Sequence, residues 1–198
     1  MPGMIKWRMR FSLRPVCLLA AILGGTVFIA SCVTAPPGAG TPGVSCTLLS
    51  SLDLGSYGVN YTTNPFLPPT SLVKGTPDEF VALDLVLSLQ DSATVNIDGA
   101  VRSESGDQVA RLNDLPQMRD YWSNWGDRTD KTSRTRLDTL DRWCMPSTQF
   151  AAHKGRTEYV IVLIGKKPLP RPASVAVSVS LNGGDPQIFT FPLLPKKK

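Results

Sequence analysis

A chain of 198 residues, 42% of them apolar, can bury one substantial core and is too apolar to belong to the disordered class. Its formal charge of +5 comes from its ends: residues 1–31 hold four of the 21 Lys and Arg and none of the 16 Asp and Glu, and Lys196, Lys197 and Lys198 close the chain. The stretch between carries about −2, which removes the basic balance that a nucleic-acid-binding protein needs.

The first element is an export signal. Lys6, Arg8, Arg10 and Arg14 precede an apolar run from Pro15 to Ala30, which ends in Ile29-Ala30-Ser31-Cys32. A positive segment, an apolar segment and small residues before a cut site make a secretory signal. With a cysteine directly after the small residues, Ile29–Cys32 resembles the lipobox of bacterial lipoproteins. That resemblance implies that Cys32 is acylated and becomes the new N-terminus, with residues 1–31 removed. Val33 is not the aspartate that resembles an inner-membrane retention signal, so the outer membrane is the expected destination where the host has one. Two other readings stay open: an ordinary signal cut near Ser31, and an uncleaved anchor. The 17 residues from Pro15 to Ser31 are short for a span, which usually needs about 20.

Residues 32–43 follow as a lipidated cysteine and a Pro- and Gly-rich tether, VTAPPGAGTPG, that cannot pack. Residues 44–195 form the single expected domain, and residues 196–198 a basic tail. Such a tail can touch anionic headgroups at about 1 kcal/mol per lysine, or simply be solvated. With Cys17 leaving in the signal and Cys32 lipidated, Cys46 and Cys144 remain as an even pair in an oxidising compartment. A disulfide between them is expected, worth about 4 to 5 kcal/mol by loop entropy. Two free thiols are the alternative. Metal binding by the pair lacks any CxxC or histidine spacing.

Residues 44–52 have mixed strand character, and Tyr57–Pro77 reads as a long loop of the kind that is often functional. Phe80–Leu89 alternates with period two and predicts a half-buried strand; Thr94–Arg102 continues the pattern. Ser105-Gly106-Asp107 predicts a turn before Gln108–Leu112. Leu115, Met118, Trp122 and Trp125 then fall on one helical face, with Pro116 in the first turn and Gly126 as a stop. Leu137, Leu140 and Trp143 mark a second short helix, capped by Asp130 or Thr132 and ended by Pro146. Glu158–Ile164 is a near-continuous apolar run, as in a central strand buried on both faces. Ser174–Leu181 alternates cleanly, Asn182-Gly183-Gly184-Asp185 is a hairpin turn, and Gln187–Phe191 runs back. The expectation is a mainly β, β-sandwich-like or α+β domain with two short helices inserted mid-chain. The last hairpin is similar to the closing strands of immunoglobulin-like and transthyretin-like domains, which bears on architecture and not on function.

No catalytic, metal-binding or cofactor motif is visible. His153 is the single histidine, no GxSxG elbow accompanies a triad, and no phosphate-cradling glycine loop occurs. Asp91, Asn96 and Asp98 lack the spacing and closing Glu of a calcium loop. The distinctive segment is Arg119–Trp143, which holds three of the four tryptophans among interleaved Arg and Asp. Tyr121, Trp122, Trp125, Arg128, Arg134, Arg136 and Trp143 are its candidate binding residues, since Trp and Arg dominate interface hot spots. Their helical spacing equally suits packing of helices onto a sheet. The function expected is that of a membrane-anchored envelope lipoprotein: a non-catalytic binding or assembly accessory for another envelope protein. A lipoprotein that captures a glycan, lipid or peptide is the alternative, and a cell-wall hydrolase with an unrecognised site a further one.

Overall fold

The strand-forming runs join into one sheet. The computed structural model describes residues 43–58, 61–69, 78–124 and 131–194. The strands are β1 (Gly43–Leu48), β2 (Glu79–Leu89), β3 (Ala93–Ser103), β4 (Gln108–Asn113), β5 (Gln149–Ala152), β6 (Gly155–Gly165), β7 (Ala173–Leu181) and β8 (Gln187–Leu193). Helices α1 (Leu115–Ser123) and α2 (Lys131–Trp143) interrupt them mid-chain, so the fold is mainly β as expected. Every neighbouring pair in the order β1-β2-β6-β4-β3-β7-β8 is antiparallel, and β5 pairs with β3 alone. The sheet curls until β1 and β8 touch, so it is one nearly closed sheet.

Curling gives the sheet an inside. Leu83, Leu85 and Leu87 of β2, Ile161 and Leu163 of β6, and Val175, Val177 and Val179 of β7 all point into one core and are at most 1% exposed. This is period-two alternation converted into a single apolar interior. β6 is buried on both faces because its other residues, Val160 and Val162, join a second core outside the sheet. That outer core also takes Met118 of α1, Leu140 of α2, and Leu54, Phe66 and Leu67 of the long β1–β2 connection.

Local chemistry sets the ends of these elements. The Asp114 carboxylate accepts from the Gln117 backbone N–H at 3.2 Å, while the Gln117 side chain accepts from the Asp114 N–H at 3.0 Å; this is a reciprocal cap for α1. The β7–β8 connection begins with a tight turn in which Gly184 N–H donates to the Leu181 carbonyl at 2.9 Å, with Asn182 at φ 52° and Gly183 at φ 71° as the left-handed pair that a type I′ turn requires. Asn182 also binds back to Thr94 through both its backbone and its side chain, which fixes this turn against β3.

The expected disulfide is not formed: Cys46 and Cys144 are both free and buried. The sheet itself separates them. Cys46 belongs to the inner core, whereas Cys144, at the end of α2, belongs to the outer core. A bridge needs facing Cβ atoms about 3.5 to 4.5 Å apart, which side chains on opposite faces of a sheet cannot supply. Cys32, the expected export signal and the expected tether up to residue 42 lie outside the described residues, while Gly43, expected to close the tether, opens β1.

Candidate binding site

The outer face of β2 and β6 is covered by the helices and by the connection between β1 and β2. Trp122 is the peg that holds this layer together. It is 4% exposed, and its indole N–H donates to the Pro65 carbonyl at 2.9 Å. Phe80 and Tyr121 meet it edge-on at centroid separations of 6.4 and 5.5 Å. The Arg136 guanidinium lies 4.3 Å above its ring and also donates to the Thr62 carbonyl. Trp143 does the same on the other side of the layer: half-buried, edge-on to Tyr57 at 5.3 Å, with Arg142 at 4.9 Å from its ring. Trp122, Trp143 and Arg136 therefore fasten Tyr57 and residues 61–66 to the helices. Arg134 is exposed on α2, Tyr121 is half-buried, and Trp125 and Arg128 lie outside the described residues. An ion pair between Arg119 and Asp141 joins the two helices at the surface, where such pairs contribute little.

Under this layer sits a polar group that the sequence did not flag. Asp84 of β2 is opposite Val160, and Glu158 of β6 is opposite Val86, so the two carboxylates are diagonal neighbours on one face. Tyr57 donates to Glu158 at 2.7 Å, and the Asp84 Oδ1 atom is buried without a hydrogen-bond partner. Burial first, and then the Glu158 charge, push the Asp84 carboxyl up to about 6, against a lowering pull from Arg156. Desolvation, then the Glu158 bond, raise the Tyr57 hydroxyl well above its ordinary range. The trio is a packed contact between the β1–β2 connection and the sheet.

Two open clefts sit at the end of the sheet where β2 begins and β6 ends, and Asp78 lines both. One, of about 380 Å³, has Phe66 and Leu67 within it and Leu48, Tyr61, Lys167 and Arg171 around it. Leu48 and Tyr61 are 36% and 55% exposed, large apolar side chains left in water on one rim. Arg171 is held there by an ion pair with Glu79 at 2.5 Å, whose other oxygen accepts from the Leu169 N–H at 3.1 Å. The other cleft, of about 790 Å³, lies between Tyr121 of α1 and the strand ends Gln108–Asn113 and Ile164–Lys166. Of the candidate residues that are described, Tyr121 alone lines either of these two clefts.

Both thiols are poor nucleophiles, because burial pushes Cys46 and Cys144 up to about 12. Among the described residues no group of three or more His, Cys, Asp and Glu is placed to hold a metal ion, and no helix is long and apolar enough to cross a membrane. No protein-family model matches the chain, and no curated protein is similar enough to lend it a function.

Proposed function

We propose that the chain is a lipid-anchored envelope protein that binds another envelope component without catalysing a reaction. The carrying observation is the smaller cleft. Tyr61 and Leu48 stand exposed beside a floor of Phe66 and Leu67, with Lys167 and the Glu79–Arg171 pair at the margin. An apolar centre with a charged rim is the anatomy of a protein contact, and a tyrosine at such a place offers a large contact area at low entropy cost. The tryptophans support the contact from behind by fixing the β1–β2 connection that carries Tyr61. Anchoring rests on the lipobox resemblance at Ile29–Cys32.

The test is photocrosslinking in cells with a benzophenone amino acid at position 61 or, as a control, at exposed His153. One dominant envelope adduct from position 61, absent from position 153 and lost in a Cys32→Ala background, is expected. Equal adducts from both positions, or none from position 61, would overturn the proposal.

A further inference from the structure

We infer that the larger cleft is a second, separate site that takes an organic anion: a carboxylate or phosphate carried on an apolar body. The argument starts from strand register. Arg111 of β4 is the direct partner of Ile164 of β6. Lys166 follows directly after the end of β6, two residues beyond Ile164. Both cations line the cleft beside the Ile164 floor and the Tyr121 wall. Both are exposed, and neither side chain makes a hydrogen bond or ion pair with any described residue. Other arginines of the outer layer and of the sheet margin are engaged: Arg119 and Arg171 each pair with a carboxylate, and Arg136 and Arg142 stack on tryptophans. The Arg111 and Lys166 side chains have neither kind of partner among the described residues, although Asp78 lines the same cleft.

Two cations against one carboxylate leave a net positive charge over an apolar floor, and that selects an anionic amphiphile over a neutral or cationic one. The guanidinium can grip a carboxylate or phosphate with two parallel bonds while Lys166 adds a point charge. Asp78 remains as an acceptor for a hydroxyl or amide N–H elsewhere on the ligand. The Asn113 and Gln108 amides stiffen the wall, donating to the Arg111 carbonyl at 2.8 Å and the Ala110 carbonyl at 3.5 Å. Gly165 keeps the strands close here, since a Cβ would press on the Val109 carbonyl and sit 2.8 Å from Ala110 Cβ. A volume of about 790 Å³ lies within the range of about 300 to 1,000 Å³ usual for small-ligand sites.

The test titrates the full chain, reconstituted in nanodiscs of neutral zwitterionic lipid, with dodecanoate, dodecyl phosphate or dodecanol below their aggregation limits. Empty discs provide the baseline for calorimetry. Saturable binding of at least one anion, at least about 10-fold tighter than dodecanol, is expected, as one charge-assisted hydrogen bond can supply that factor. Preference for dodecanoate would identify a carboxylate ligand, and preference for dodecyl phosphate a phosphorylated one. Arg111→Ala and Lys166→Glu, both exposed positions, should each weaken the anion about 10-fold or more with an unchanged melting temperature. Dodecanol binding as tightly as either anion, or anion binding indifferent to both substitutions, would overturn the inference. Crosslinking at position 61 reads the other cleft, so either result can fail alone.

Discussion

Asp84→Asn should stabilise this protein at neutral pH and do nothing for it at pH 4. Asp84 has one oxygen buried without a partner and faces Glu158 on the next strand, so its ionised form is disfavoured in the fold. Its carboxyl is pushed from 3.8 up to about 6. Because the folded value is the higher one, the folded state holds the proton more tightly. Stability is therefore greatest below about pH 4, falls as pH rises towards 6, and is level above that. A difference of about two pH units corresponds to about 3 kcal/mol if fully expressed. Since the side chain is only half-buried, solvent screening reduces this to about 1 to 2 kcal/mol. Asparagine keeps the shape and never ionises. The variant should melt about 2 to 8 °C above the parent at pH 7.5 in a domain of this size and coincide with it at pH 4. Scanning calorimetry of both proteins across that range is the assay. A variant that is less stable at pH 7.5 would mean that Arg156 or Tyr57 uses the charge, and a pH-independent offset would mean that packing, not ionisation, had changed.

Trp122→Ala should cost about 3 to 5 kcal/mol in urea unfolding, the toll for a buried aromatic, and a loss below about 1 kcal/mol would show that the indole does not pin residues 61–69 to the helices. Because Cys46 and Cys144 lie on opposite faces of the sheet, intact mass should be the same with and without reductant. Both thiols should resist iodoacetamide until denaturant is added, and a mass two units lower without reductant would restore the bridge. Cys32→Ala should move the protein from the membrane to the soluble fraction in cell fractionation; full retention would refute lipid attachment.

Much of the sheet can be read along the chain. Leu83, Leu85 and Leu87 alternate with polar or smaller residues, and one side of β2 is indeed the inner core. Val160–Ile164 is apolar throughout because Val160 and Val162 face one core while Ile161 and Leu163 face another. The hairpin at Asn182-Gly183 declares itself through the two residue types that tolerate positive φ. β5 does not, since four residues, Gln149–Ala152, are too few to establish a period. The cysteine pair misleads for a related reason. An even count says nothing about which side of a sheet each residue occupies, and Cys144 lies beyond a helix where strand alternation no longer applies. Both clefts and the Asp84–Glu158 contact are products of register. Arg111 stands 53 positions before Ile164, and only pairing of β4 with β6 brings them together. The tryptophans drew attention correctly to the helix pair, but their spacing signalled packing, as Trp122 at 4% exposure makes plain.

β1 is an edge strand, hydrogen-bonded along its length to β2 alone, and it opens at Gly43, the last residue of the tether expected from the sequence. If the chain is anchored through its N-terminal side as proposed, tension would enter the fold at the strand with a single line of backbone bonds to resist it. Peeling begins at the Gly43–Ser88 pair and runs towards Leu48–Leu83, the last pair of the ladder. Leu48 is also a margin of the smaller cleft. A load applied at Gly43 would thus dismantle the β1 margin of that cleft while the hairpin Ala173–Leu193, which pairs with β3, still held. A partner seated beside Leu48 and Tyr61 would resist the peeling, so occupancy and mechanical strength rise together.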